Sequence, residues 1–220
     1  MAQHLRVAAG DVFVVAQKIV SKAEGRMVRL DSVEPSERAA RWAAEYDKDP
    51  RLIELVLRET SRIVRMDRGV IIAETRHGFI CANAGVDNSN TPEGTASLLP
   101  EDPDRSARAL QSALAKLFRV HVGVIISDTF GRPWREGLVN VALGVAGIAP
   151  LIDYRGRRDA GGKILQATII AIADELASAA ELVMGKADGV PVALIQSLAG
   201  AKRTGSGRDL IRPAERDLFR

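Results

Sequence analysis

Short apolar runs of strand length alternate along this chain with stretches whose apolar positions recur every three to four residues. Gly10-Asp11 precedes Val12-Phe13-Val14-Val15-Ala16, a β-branched run that reads as a buried strand following a turn, with Gln17 to Lys22 just beyond it. Pro35-Ser36-Glu37-Arg38 opens a helical pattern through Trp42, and Asp49-Pro50 opens another in which Leu52, Ile53, Val56 and Leu57 share a face. From Ser61 to Asn83 the pattern changes to short β-rich segments with turns at Arg68-Gly69 and His77-Gly78, which predicts antiparallel sheet. Asp102-Pro103 caps a helix with Ala107, Leu110, Leu114 and Leu117 on one side, and the apolar stretch His121 to Ser127 that follows it predicts a central strand.

Farther on, Gly144 to Gly162 is rich in glycine and carries Arg155, Arg157 and Arg158, so it reads as a mobile connection. A long helical pattern covers about Thr168 to Met184, and Val190 to Ile195 reads as the last strand. Gly200 to Gly207 looks like a linker to a basic tail, which makes residues 1–200 the expected functional domain and 201–220 linker and tail. No internal repeat is evident.

Composition narrows the class without naming the chemistry. A chain of 220 residues, 46% hydrophobic and 27% charged, is large enough for one substantial domain or two small interlocked ones. Its 31 basic and 28 acidic side chains leave a net charge of +3, too small and dispersed for a nucleic-acid footprint. Cys81 is the single cysteine, so an intrachain disulfide and a Cys-based zinc site are both excluded, and a reducing cytoplasm is the expected setting. The opening Met-Ala-Gln-His-Leu-Arg has no apolar signal core, and no apolar run reaches the length of a membrane span.

Two oxygen-rich segments carry candidate chemistry. Asn83-Ala84-Gly85-Val86-Asp87-Asn88-Ser89-Asn90 follows an apolar strand, where a turn could aim Asp87 at a hard metal; the same residues also suit a polar turn held by Asx hydrogen bonds. Ser127-Asp128-Thr129 follows Val124-Ile125-Ile126, so Asp128 is expected at a strand end, either as a metal carboxylate with Thr129 beside it or as the cap of a turn before Gly131 and Pro133. Lys18 and Lys22, flanking Ser21, are either phosphate-neutralising point charges or solvated surface lysines. Arg132 and Arg135 could clamp an anion near Asp128 or pair with Glu136. A Walker A loop, a convincing dinucleotide fingerprint and an HExxH helix are all missing, and His4, His77 and His121 are scattered, so no Ser-His-Asp arrangement can be placed.

Taken in order, several segments together resemble the coenzyme F420-0:L-glutamate ligase (F420-0:gamma-glutamyl ligase) family. They are Gly10 to Val15 with Lys18-Ile19-Val20-Ser21-Lys22-Ala23-Glu24-Gly25-Arg26, then Asn83 to Asn90, Val122 to Arg132, Ala173-Asp174-Glu175-Leu176 and Leu182-Val183-Met184-Gly185. The tail Gly207-Arg208-Asp209-Leu210-Ile211-Arg212-Pro213 resembles the ligase half of the bifunctional bacterial enzymes.

The resemblance implies an α+β fold with mixed, largely antiparallel sheets and flanking helices, assembled as an intertwined homodimer. It implies a reaction in which GTP phosphorylates the terminal carboxylate of coenzyme F420-0 and L-glutamate attacks the acyl phosphate, with further γ-glutamyl additions in view. Magnesium or manganese is the implied metal and potassium a further implied ion. By similarity Asp87, Asp128 and Thr129 are metal ligands, Asp87 and Asp128 being the catalytic pair, and Gln17, Lys18, Lys22 and Asn90 contact the nucleotide together with the loop of Met184, Gly185, Lys186 and Gly189. Two departures accompany the match. This chain reaches Gly10-Asp11 without the family's opening Gly-Leu-Pro-like nucleotide contact, so part of the GTP pocket is expected to be missing, and Lys186 stands where some relatives carry a glutamate metal ligand. A GTP-dependent ligase for another carboxylate, and a noncatalytic deazaflavin- or GTP-binding protein, are the alternatives.

Overall fold

The structure, a computed structural model, describes residues 6–198 and 204–218. Strand β1 (Val12–Ala16) runs directly into α1 (Gln17–Ala23), followed by β2 (Met27–Arg29), α2 (Glu37–Tyr46) and α3 (Pro50–Glu59). Strands β3 (Thr60–Asp67), β4 (Val70–Thr75), β5 (Ile80–Ala82) and β6 (Thr95–Ser97) lead to α4 (Pro103–Phe118). The chain continues through β7 (Gly123–Arg132), β8 (Arg135–Ala146), β9 (Ile152–Asp153), β10 (Ile169–Ile170), α5 (Ile172–Met184) and β11 (Val192–Ile195). The result is a mixed α+β protein in which β1 and β7 pair in parallel, while β1/β11, β2/β6, β3/β4, β4/β5 and β9/β10 pair antiparallel.

Two compact units share the chain. The first gathers the chain up to Ala16, Asp102–Thr129 and everything from Val139 onward; the second takes Gln17–Glu101 and Phe130–Leu138.

In the first unit the sheet order is β11-β1-β7-β8, with Val12 opposite Gly123 on one side and Ile195 on the other. An interior strand is covered on both faces, which is why β1 and the first half of β7 are unbroken apolar runs. Helix α5 lays Ala173, Ala177, Ala180 and Met184 against Val12, Val14, Ile125 and Val145, and its alanines allow close approach to the strands. Gly144 of β8 is equally constrained: a Cβ there would lie 2.2 Å from the Pro103 carbonyl oxygen at the start of α4. The buried Asp104 carboxylate accepts from Val145 N at 2.9 Å and Gly207 N at 2.7 Å, and from the Ser206 hydroxyl, so residues 206–207 are fastened to α4 and β8.

Several expectations change here. The stretch Gly144 to Gly162 is not one loose connection, because β8 extends to Ala146 and β9 pairs with β10. Its arginines are engaged locally: Arg155 binds Asp153 at 2.6 Å, Arg157 lies over the Tyr154 ring and Arg158 donates to Gly162 O. The last helix starts at Ile172 rather than near Thr168, since Ile169 and Ile170 are spent on the β10 pairing. Along α4 full burial is confined to Pro103, Asp104, Ser106 and Ala107; Leu110 and Leu114 are half-buried and Leu117 is 69% exposed. The strand predicted from His121 starts at Gly123 and continues to Arg132. Of the linker expected over Gly200 to Gly207, residues 200–203 lie outside the described residues.

The second unit packs α2 and α3 over the three-stranded β3-β4-β5 sheet, with Trp42, Ile53, Leu55, Val56, Ile71 and Ala73 at its centre. Both helices start where the sequence places them. Ser36 caps α2 by accepting from Ala39 N at 3.3 Å, and Asp49 caps α3 by accepting from Arg51 N at 2.9 Å. Leu55 joins Ile53 and Val56 on the buried face, whereas Leu52 and Leu57 are only half-buried. Turns at Arg68-Gly69 and His77-Gly78 join the strands as the sequence predicts. No helix of the described residues is long and apolar enough to cross a membrane.

Candidate functional site

In the second unit the lysines of α1 meet the oxygen-rich turn. Asn83, Ala84 and Gly85 take consecutive left-handed conformations, φ 53°, 51° and 74°, which bends the chain sharply after β5. Asp87 is then pinned by its backbone to Ser97 of β6, donating at 3.1 Å and accepting at 2.7 Å. Its Oδ1 accepts from Ser89 N at 2.8 Å, the Asx turn considered from sequence, and its Oδ2 accepts from Ser89 Oγ and from Lys18 Nζ, each at 2.6 Å. Lys18 also donates to Ser89 O at 2.7 Å, and Lys22, four residues along the same helix face, donates to Asn90 O at 2.9 Å. Neither ammonium is simply solvated.

Burial pushes the Asp87 carboxyl up, but the hydrogen bonds from Lys18 and Ser89 together outweigh it and hold the group below its ordinary value. It is therefore an anion at neutral pH. Gln17 is buried, with its amide oxygen accepting from Ser21 Oγ at 2.8 Å. Arg132 folds back on its own hairpin, donating to Glu136 O at 2.6 Å, and Arg135 is exposed.

In the first unit Asp128 and Thr129 lie within β7, not at its end, because the strand continues to Arg132. Successive side chains of a strand leave on opposite faces, so the Asp128 carboxylate and the Thr129 hydroxyl diverge. The Thr129 hydroxyl donates to Asn140 Oδ1 at 2.7 Å, and Lys186 donates both to Thr129 Oγ1 and, at 3.2 Å, to Asn140 Oδ1. Glu181 Oε1 lies 4.0 Å from the Lys186 ammonium. Helix α5 brings Lys186 there: the helix ends at the buried Met184, and Gly185, with φ 59°, turns the chain while its N–H closes on Glu181 O. Gly189, also at positive φ, sits at the far end of this loop.

The structure thus joins Lys18 with Asp87, Lys22 with Asn90, and Thr129 with Lys186, the first two pairs in one unit and the third in the other. Asn140 and Ser89 were not singled out from the sequence. Asn140 is a lone polar residue in the apolar run Val139 to Leu143, a signal that could have marked it. No group of three or more His, Cys, Asp or Glu side chains suited to a metal occurs among the described residues. Asp87 and Asp128 are hard anionic donors of the type magnesium or manganese takes, whereas the Thr129 hydroxyl, already bound by an ammonium, does not fit that role.

Fold and clusters together define a mixed α+β protein that holds lysines against oxygen-rich segments. Its sequence matches that of the F420-0:Gamma-glutamyl ligase family over residues 1–197, and the chain belongs to that family. It is 50% identical to the coenzyme F420:L-glutamate ligase of Methanopyrus kandleri, over 100% of this chain and 89% of the relative. It is also 50% identical to the protein of that name from Methanothermobacter thermautotrophicus and 47% identical to the one from Methanocaldococcus jannaschii, in each case over 96% of this chain and 85% of the relative.

Proposed function

We propose that this protein joins L-glutamate to coenzyme F420-0 at the expense of GTP, with a divalent metal and as a homodimer in the cytoplasm. The observation that carries this reading is similarity along the whole chain to relatives named coenzyme F420:L-glutamate ligase. The γ-phosphoryl group of GTP passes to the acceptor carboxylate, the glutamate amine attacks the resulting acyl phosphate, and GDP, inorganic phosphate and the new amide leave. Magnesium or manganese would neutralise the phosphoryl oxygens and align donor with acceptor.

Asp87 in the second unit, and Asp128 with Thr129 in the first, are the residues that would serve as metal ligands, the two carboxylates being hard anionic donors of the kind such an ion takes. With nucleotide bound, Lys18 would offer its ammonium to a phosphate oxygen, and the Asp87 carboxylate it now holds would be available as a metal ligand. Lys22 would add a second point charge, with Gln17 and Asn90 as further nucleotide contacts of the same unit, and the loop of Met184, Gly185, Lys186 and Gly189 is the nucleotide-contacting segment of the other. Glutamylated product should appear by mass spectrometry when the protein is incubated with F420-0, GTP, L-glutamate and magnesium or manganese. No product from folded protein, with a relative active alongside, would overturn the proposal.

A further inference from the structure

Strand β8 ends the order β11-β1-β7-β8, so among the described residues one of its edges has no strand beside it. Its inner part, Val139–Ala146, reads Val-Asn-Val-Ala-Leu-Gly-Val-Ala, with neither a charge nor a proline. Edge strands are ordinarily kept from pairing with other chains by lysines, prolines or bulges of their own, and an uncharged β-branched run pairs most readily when left open. This edge is covered from outside instead. The Asn140 carbonyl accepts from Ser178 Oγ of α5 at 2.8 Å, Ala142 N donates to Asp174 Oδ1 of α5 at 2.8 Å, and Val145 N donates to Asp104 Oδ1 of α4 at 2.9 Å. An amide bonded to a carboxylate is not donating to a strand, so Ala142 and Val145 are withdrawn from any ladder.

The rest of the cover comes from the segment after residue 203. Its single 3₁₀ turn, Gly207–Leu210, is shaped locally: Ser206 Oγ accepts from Arg208 N at 3.2 Å and Asp209 Oδ2 accepts from Ser206 N at 3.0 Å. Gly207 N donates to Asp104 Oδ1 at 2.7 Å, the Ser206 hydroxyl donates to Asp104 Oδ2, and Leu210 packs against the cluster that contains Ala142 and Val145. The Gly207 backbone presses on β8 so closely that a Cβ there would lie 2.3 Å from Leu143 O.

We infer that residues 204–210 are a strap that closes the outer edge of β8, and that the partner admitted when the strap is displaced is β8 of a second copy. Two identical strands suit one another here, because an uncharged run meets its own copy without like-charge opposition and a two-fold contact needs only one surface. Asp104 is the positioning residue, since its Oδ1 holds Val145 of the edge and Gly207 of the strap together. Losing the strap removes two of these three bonds to its buried carboxylate.

The test is Gly207→Val and Leu210→Glu in the full chain, each measured by light scattering after size exclusion over a range of concentrations. Their mass should rise to at least about twice that of the parent, whatever oligomer the parent forms, and an excess of a peptide of residues 204–212 should return it to the parent value. Adding Val141→Lys to either variant should abolish the association, because a charge within the strand opposes edge pairing. Leu176→Ala weakens the same core and leaves the strap in place, so its mass should match the parent's.

Parent mass in both strap variants would overturn the inference. So would association that Leu176→Ala shares, that Val141→Lys leaves intact or that the peptide does not reverse. If neither strap variant folds, Ser206→Ala decides, because it removes one bond and keeps Gly207 and Leu210. Its Gly207 and Val145 amides should exchange with deuterium about tenfold faster than in the parent, with the Ile125 amide unchanged. Unchanged exchange at Gly207 and Val145, or equal acceleration at Ile125, overturns the strap.

Discussion

Lys18 Nζ lies 2.6 Å from Asp87 Oδ2 across 69 positions of sequence, a bond that ties the first helix to the turn after β5. The lysine side chain is 18% exposed and the carboxylate 42%, so solvent screens the pair and its share of stability is about 1 kcal/mol or less. Lys18→Met should therefore lower the melting temperature by only about 2–4 °C. Its effect on nucleotide should be larger, because the phosphate loses a point charge, and Lys22→Ala should likewise weaken GTP more than coenzyme. GTP titrations that match the parent in both variants would remove the lysines from the nucleotide site.

Asp87→Ala and Asp128→Ala should each abolish turnover while preserving the circular dichroism spectrum. On the proposed function, each substitution would remove an anionic metal ligand. Manganese titration by paramagnetic relaxation gives a readout independent of turnover, and binding as tight as in the parent would reject the assignment.

Two aspartates should show opposite pH signatures. The folded-state value of Asp87 is held down, so its contribution is complete above the ordinary carboxylate range and disappears as pH falls through the lowered value. The stability gap between parent and Asp87→Asn should therefore narrow on acidification. Asp174 is the reverse: burial raises it despite the bond from Ala142 N at 2.8 Å, so its ionised form opposes folding as pH rises past the ordinary carboxylate value. Asp174→Asn keeps an acceptor for Ala142 and should gain on the parent as pH increases from acid to neutral. Denaturation series across that range decide both signs.

Gly144→Ala should cost about 2–3 kcal/mol, or about 5–10 °C in melting temperature, since the added methyl meets a backbone carbonyl that cannot swing aside. Gly94 has φ 70° but open space around it, so Gly94→Ala should cost only the conformational penalty of about 1–2 kcal/mol. Equal melting temperatures for Gly144→Ala and the parent would show that α4 does not press on β8.

What the sequence reveals and what it conceals divide along physical lines. Caps at Ser36, Asp49 and Asp102 are legible because the side chain bonds to amides two or three residues away. The β1 run is legible because a strand covered on both faces needs apolar residues throughout. By contrast, Gly144 resembles a loop glycine until Pro103 is known to lie against it, and β8 is hidden by its exposed start, residues 135–138. In the candidate site the types of residue are readable and their partners are not. Lys18 and Asp87 carry plausible separate roles, but nothing local announces that they bind one another, and Asn140 acquires its role only when Thr129 and Lys186 arrive from opposite directions in the chain.

The placement of β1 between β11 and β7 also sets a timetable for synthesis. Strand β1 leaves the ribosome with neither neighbour available: its parallel partner begins at Gly123 and its antiparallel partner at Val192. Meanwhile Gln17–Glu101, nearly all of the second unit, is a continuous stretch whose helices and β3-β4-β5 meander can form as they emerge. The growing chain thus carries an apolar strand with two unpaired edges until β7 emerges and with one until β11 follows, which makes the earlier interval its period of greatest exposure to aggregation and to chaperones.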